Sequence, residues 1–312
     1  MHQRLVRFFP DKVIIDASTI CNLRCPLCPT GTDRKDLTKG FLKFSKFKVL
    51  IDEISPHIRF IFLSNKGEIF LNPEIFKIIR YAKNKGMIVE ADSNLNYLDK
   101  EMAEELVKSE MDYLNISIDG ASQKVYSSYR KGGNFNTVIR NIKMINKAKE
   151  KYNLKRPSLI WQFIIFDHNK HQLKKVKILA KKLNMKFKVR PNWEYFHSMP
   201  KNKKFRLESG LTKNYYSNDS NDNRESLCSY LWYKPVINWN GNMLGCCIQI
   251  DENKNFGNVF EKGFFKVFYG KKMNSARKFV DDFLKDKKVH GPTDIPCAYC
   301  IKLRNMRNNP VK

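Results

Sequence analysis

A chain of 312 residues, 42% of them hydrophobic, is long enough for one large domain with a small appendage and too apolar to be globally disordered. Lysine and arginine outnumber aspartate and glutamate by 58 to 31, a net charge of +27. The basic residues are spread along the chain. This fits a solvated lysine-rich surface first, and attraction to an anionic metabolite, an acidic lipid surface or a nucleic acid second. No run approaches the roughly 20 apolar residues of a membrane span, and the N-terminal stretch MHQRLVRFFPDKVIID has no signal-peptide core. A cytoplasmic chain is expected. In a reducing compartment its eight cysteines point to metal or redox chemistry rather than to a disulfide framework.

From residue 12 to about 190, short apolar runs alternate with longer stretches of helical periodicity. The predicted strands are 13–18, 59–64, 87–92, 113–118, 159–165 and 186–190. The predicted helices lie near 44–55, 72–84, 99–109, 136–151 and 170–183. Such strands read as continuously apolar, as in a parallel sheet covered by helices. Six βα units predict a closed or nearly closed barrel, a partial (β/α)6 TIM-like fold of the α/β class, with a doubly wound sheet as the alternative. In both, functional loops lie at the carboxyl ends of the strands. Residues 198–227 are polar and read as a linker or excursion. Residues 228–312 hold five of the eight cysteines and read as a small α+β cysteine-rich domain, with a hairpin turning at Asn240-Gly241 and a helix at 263–285. The domain division is therefore 1–197, 198–227 and 228–312.

The stretch CNLRCPLC follows the first strand and carries Cys21, Cys25 and Cys28. Three buried cysteines acting as small hydrophobes fit poorly, because Pro26 and Pro29 make this a loop. A zinc site with a remote fourth ligand is a second reading. The third is an iron–sulfur cubane held by three thiolates, which leaves one iron open to a substrate or cofactor.

C-x3-C-x2-C after the first strand of a six-unit βα barrel resembles the radical S-adenosylmethionine (radical SAM) enzymes. That resemblance implies a [4Fe-4S] cluster on Cys21, Cys25 and Cys28 whose open iron is chelated by the amino and carboxylate groups of SAM. Cleavage of SAM would then give a 5′-deoxyadenosyl radical that abstracts a hydrogen atom from substrate. Leu27 stands where the family usually has an aromatic residue. Further matches follow in chain order. Gly67-Glu68 resembles the element near the SAM amino group, with Ile69 in place of the usual proline. Ser93 and Asn94 stand at a Thr-Asn-Gly-like turn that lacks its glycine. Ser117 and Asp119 in NISIDG resemble the ribose-contacting element, and Arg130 resembles a residue that pairs with the SAM carboxylate. Taken singly, Ser117, Asp119 and Arg130 also read as a strand-end cap and a solvated arginine.

The remaining cysteines, Cys228, Cys246, Cys247, Cys297 and Cys300, run as C-x17-C-C-x49-C-x2-C. Spacing alone allows zinc. The segment from Cys228 onward, with GNMLGCC, FGNV and IPCAYC, resembles the auxiliary-cluster extensions called SPASM and the shorter twitch. That resemblance implies one auxiliary cluster, of [4Fe-4S] type, on Cys228, Cys246, Cys297 and Cys300, with Cys247 as an alternative to Cys246. With all four irons bound by thiolates, an electron-transfer or structural role remains.

The leading expectation is a radical SAM oxidoreductase acting on a small anionic substrate of the sugar, nucleotide or lipid-linked kind, by dehydrogenation or another hydrogen-abstraction step. It would be served by an electron donor such as flavodoxin or ferredoxin. Gln162, Lys188 and Arg190 alternate toward one face of the last two predicted strands and are candidate substrate contacts. No residue is singled out as a general acid or base. A peptide-modifying maturase is the alternative, although only a dozen residues precede the first strand and leave no room there for a leader-binding domain. A zinc-containing nucleic-acid-binding protein is the alternative of another class, but no aromatic-plus-basic recognition motif accompanies the charge. Replacing Cys21, Cys25 and Cys28 together by alanine is expected to remove roughly half of the iron, one cluster of two, by iron and sulfide assay after anaerobic purification. Zinc in place of iron and sulfide in the parent protein would overturn the radical reading.

Overall fold

The computed structural model describes residues 8–190, 228–247, 249 and 251–308. The expected linker, 198–227, lies outside the described residues. Seven parallel strands form one sheet: β1 (Lys12–Ile15), β2 (Phe60–Phe62), β3 (Ile88–Ser93), β4 (Tyr113–Ser117), β5 (Ser158–Ile164), β6 (Lys186–Arg190) and β7 (Val236–Ile237). Their order is β6-β5-β4-β3-β2-β1-β7. The first six strands follow chain order without reversal, so the winding is that of a barrel and not of a doubly wound sheet. The barrel is unclosed, since β6 and β7 are its two edges. β7 comes from the cysteine-rich C-terminal segment and pairs with β1, Ile14 opposite Val236 and Ile15 opposite Ile237. The C-terminal segment is thus hydrogen-bonded into the main sheet.

Helices α1 (Phe44–Ile54), α2 (Ile75–Asn84), α3 (Lys100–Lys108), α5 (Phe135–Tyr152) and α6 (Leu173–Lys182) lie where the periodicity predicts them. Asp99 and Asn134 cap α3 and α5 by accepting from Met102 N and Thr137 N. A short helix, α4 (Gln123–Tyr129), escapes sequence reading because it buries only Tyr126 and Tyr129. The predicted C-terminal helix is two, Phe264–Phe268 and Lys271–Lys285, broken at Gly270. The hairpin turn forms where expected: Gly241 N donates to Asn238 O at 2.9 Å, and Gly241 has φ +91°.

The strands are not continuously apolar. Val13, Ile15, Ile61, Val89, Ala91, Leu114, Ile116, Leu159, Trp161 and Phe163 are buried in the main hydrophobic core. The residues at the alternate positions include Lys12, Glu90, Asp92, Asn115, Ser117, Gln162, Lys188 and Arg190, among the apolar Ile14, Phe60, Phe62, Ile88, Ile160 and Ile164. By the period of two they share the opposite face, and hydrogen bonds link several of them. The core therefore sits between sheet and helices, while the barrel interior carries a set of polar side chains among apolar ones. Leu114 is fully buried on the central strand. Leu114→Ala is expected to cost about 2–5 kcal/mol, read as a lowered denaturant midpoint with an unchanged slope.

Candidate functional site

The cysteine loop is pinned from several sides. Arg24 N donates to Lys131 O (2.9 Å), Cys28 N to Cys25 O (3.1 Å) and Thr30 Oγ1 to Lys66 O (2.8 Å). Cys25 is buried, and Cys21 and Cys28 are partly exposed. Donors already point at sulfur: Leu23 N lies 3.4 Å and Asn94 Nδ2 3.6 Å from Cys21 Sγ, and Arg130 Nη1 lies 3.9 Å from Cys25 Sγ. Burial pushes the Cys21 thiol up to about 11 and Cys25 upward as well, and the neighbouring thiols add to it. A bound cationic metal group would reverse that effect, so the donor chemistry suits a thiolate-held cluster. Leu23, Cys25, Tyr129 and Phe166 form a small apolar cluster against Leu27, with the two rings 4.7 Å apart. Here Tyr129 and Phe166 supply the aromatic cover that Leu27 does not.

After β2, Gly67 lies directly on the start of this loop. A Cβ there would stand 2.1 Å from Ser18 O and 2.8 Å from Ile20 O. Glu68 is buried, and its carboxylate accepts from Ser93 Oγ (2.7 Å), Asn94 N (2.6 Å) and Phe70 N (3.2 Å). Burial raises its pKa to about 7 in spite of these bonds. The structure thus has Glu68 holding the turn after β3. In that turn Leu95 adopts φ +54° at the position where a Thr-Asn-Gly turn has glycine. The left-handed conformation costs a leucine roughly 1–2 kcal/mol. It is held by Leu95 N to Ser93 Oγ (2.9 Å) and Asn141 Nδ2 to Leu95 O (2.9 Å).

Asp119 and Arg130 meet each other. Arg130 Nε donates to Asp119 Oδ2 at 2.6 Å, Ile164 N donates to Asp119 Oδ1 at 2.6 Å, and the guanidinium lies 5.1 Å from the Tyr129 ring centroid. Burial opposes the arginine charge, and the Asp119 carboxylate together with Cys25, Tyr129 and Tyr126 more than offsets it. Ser117 accepts from Gln162 Nε2 at 3.4 Å, one row below Asp119. Lys188 is opposite Gln162 in register and Arg190 opposite Ile164. Sequence reading missed Lys12, Glu90, Asp92 and Asn115 on this face. Glu90 and Asp92 stand inside the run MIVEAD, where two acids at alternate positions were the available signal. Burial raises the Asp92 carboxyl, with Arg190 working against it, and lowers Lys188.

Asp16, at the carboxyl end of β1, was also missed. Its Oδ1 accepts from Asn65 N (2.7 Å) and Lys66 N (2.9 Å), and burial lifts its pKa to about 6. Lys66 Nζ in turn donates to Gln249 O at 2.7 Å, beside the second cysteine group. In that group Cys247 Sγ donates to Tyr230 Oη at 2.9 Å, and the pKa of Cys247 falls to about 7, chiefly through a hydrogen bond with Cys246. Burial drives the Cys297 thiol well above its ordinary value, with Cys228 and Cys300 adding to it. Cys228 is therefore a neighbour of the C-x2-C turn, and Cys247 of Cys246 and Tyr230. Among the described residues, no three His, Cys, Asp or Glu side chains group as a ready single-ion site. Glu252 anchors this region by accepting from Thr38, Asn238 Nδ2 (2.5 Å) and Asn240 Nδ2 (2.7 Å).

Residues 15–155 match the Radical SAM superfamily, and residues 228–301 match SPASM, an iron-sulfur cluster-binding domain. The chain is a radical SAM protein with a C-terminal SPASM auxiliary-cluster domain, and its cofactors are SAM, a [4Fe-4S] cluster and an auxiliary Fe–S cluster. Over 140 residues it is 29% identical to the AdoMet-dependent heme synthase of Methanosarcina barkeri, a match covering 45% of this chain and 40% of that protein. The chain thus spans less than half the length of that curated relative. In fold it is similar to Streptococcus suis SuiB bound to S-adenosylmethionine (TM-score 0.70, 16% identity, 87% of this chain and 68% of that one), a protein also solved with its precursor peptide SuiA. It is likewise similar to BtrN in complex with AdoMet and 2-DOIA (TM-score 0.56, 15% identity, 94% of each chain). Gly67→Ala is expected to force the two loops apart. It should lower stability by about 1–3 kcal/mol, read by thermal unfolding, and reduce the iron retained per chain.

Proposed function

We propose that this radical SAM enzyme abstracts a hydrogen atom from a small, anionic substrate of the sugar, nucleotide or lipid-linked kind, and that the net reaction is a dehydrogenation. The reading assigns Cys21, Cys25 and Cys28 to the SAM-binding cluster and Cys228, Cys246, Cys297 and Cys300 to the auxiliary one. When bound, SAM and its reduced cluster supply the 5′-deoxyadenosyl radical, and the auxiliary cluster supplies an electron acceptor. The observation that carries the substrate class is the polar set of side chains in the barrel interior. Lys188 and Arg190 bring two basic side chains to it, and Gln162 brings a buried amide. An apolar substrate would leave these groups desolvated without partners. In this reading Gly67 lets the backbone approach SAM, and Glu68 and Ser93 hold Asn94 at the cluster. The Asp119–Arg130 pair fixes a cation beside Cys25, within reach of a carboxylate. The pair also keeps Ile164 N engaged, which sets the rim of the pocket.

The division of the chain at 197 and 228 and a flavodoxin- or ferredoxin-type electron donor belong to the same proposal, as does a cytoplasmic location. Among the described residues no helix is long and apolar enough to cross a membrane. The likeness to SuiB supports a second reading, a maturase that modifies a ribosomally made peptide. Anaerobic reconstitution followed by a screen for 5′-deoxyadenosine release separates the two. Stimulation by phosphorylated or carboxylated small molecules is the expected result. Stimulation by peptides alone would favour the maturase, and release that no anionic class increases would count against the proposal.

A further inference from the structure

Two amide side chains in the barrel interior present their oxygens as hydrogen-bond acceptors, and one of them is locked in that orientation. Asn115 is fully buried, and its Nδ2 donates to Glu90 Oε1 (2.9 Å) and Asp92 Oδ1 (2.8 Å). Ionised carboxylates only accept, so the amide cannot be reversed and its Oδ1 faces away from them. That Oδ1 is buried and has no hydrogen-bond partner among the described residues. Gln162 lies on the neighbouring strand, about two residues (~6.6 Å) nearer the cysteine loop. It repeats the arrangement: its Nε2 donates to Ser117 Oγ, and its buried Oε1 has no partner among the described residues. Arg190, on the far side of Gln162, offers the opposite character, a buried Nε with no acceptor among the described residues. Lys12 balances the first-strand side, paired to Glu90 at 3.0 Å and lying 4.6 Å from the Phe60 ring centroid.

Buried polar atoms are nearly always paired in folded proteins, so three on one interior face call for a ligand of matching polarity. We propose that Asn115 Oδ1 and Gln162 Oε1 accept hydrogen bonds from two hydroxyl groups of the substrate while Arg190 donates to an anionic group. The substrate is then a small hydroxylated carbon skeleton carrying one carboxylate or phosphate. This rests on the interior being the substrate site of the radical reaction, as proposed above. Because Glu90 and Asp92 fix the amide of Asn115, its acceptor cannot rotate to suit a deoxy analogue. A missing hydroxyl leaves a carbonyl unpaired and lowers the apparent second-order rate constant by roughly 10–100-fold.

The test uses the full chain with both clusters reconstituted, dithionite as reductant, and 5′-deoxyadenosine release as the readout. The probes are aldonic acids, sugar phosphates, their deoxy counterparts and the matching neutral sugars. The aldonic acid and sugar phosphate arms tell carboxylate from phosphate. Hydroxylated anions are expected to stimulate release, and loss of one hydroxyl or of the charge is expected to lower it by the stated factor. Gln162→Met should reduce the hydroxyl-to-deoxy discrimination to under about 3-fold at one hydroxyl position and leave it in place at the one assigned to Asn115, with iron per chain retained as the check that the variant folds. If that variant does not keep its iron, the parent protein's ranking of deoxy against hydroxylated probes decides alone. Discrimination unchanged for every deoxy probe in Gln162→Met, or stimulation by deoxy or neutral probes as strong as by hydroxylated anions, overturns the assignment. Release that responds to none of the hydroxylated anions also overturns it while leaving the radical chemistry intact. A cluster-loaded protein that never releases 5′-deoxyadenosine overturns the broader functional reading instead.

Discussion

The close approach of Gly67 to the backbone of Ser18 and Ile20 is the constraint on which the site depends. No side chain fits between these segments, so the loop after β2 and the loop carrying Cys21, Cys25 and Cys28 are held at backbone distance. The residues on either side use that proximity. Glu68 N donates to Ile20 O (2.9 Å), and the Glu68 carboxylate fixes the turn after β3, from which Asn94 reaches Cys21. Lys66 places its amide on Asp16, its carbonyl on Thr30 and its ammonium on Gln249. Three consecutive residues thus connect the cysteine loop, the third strand and the neighbourhood of the auxiliary cysteines.

A second level of organisation is the division of polarity across the sheet. On the helix side, side chains such as Leu114, Ile116 and Trp161 are fully buried. Full burial of an aliphatic side chain contributes about 1.5–3 kcal/mol, so this side carries the stability of the fold. The interior side holds acids, amides and bases that stabilise it little. Buried charges cost free energy unless paired, and Lys12–Glu90 and Asn115 with its two carboxylates limit that cost. Among the described residues, the atoms of this arrangement without a partner are Asn115 Oδ1, Gln162 Oε1 and Arg190 Nε. Stability and function are therefore separated strand by strand through the alternation of side chains.

Much of the fold was legible because β-branched runs and helical periods are local signals. Five helices and six strands fall close to where hydrophobic periodicity puts them, and the cysteine spacing identified the family. The polarity of the interior was less legible. Glu90 and Asp92 lie among apolar neighbours, and only the pairing register reveals that they line the same face as Asn115. The missing glycine at Leu95 looked like a weakened turn. The structure keeps the turn and holds the strained residue with Ser93 and Asn141, contacts 2 and 46 residues away in sequence. The attachment of β7 to β1 and the role of Glu252 depend on partners more than 200 residues away, which no local pattern encodes.

The most direct measurement is electron paramagnetic resonance of the anaerobically reduced protein with and without SAM, compared with Cys25→Ala. The account predicts two reduced-cluster signals in the parent, of which one shifts when SAM is added, and only the SAM-insensitive signal in the variant. A spectrum that SAM leaves unchanged, or one that the cysteine substitution leaves intact, would contradict it.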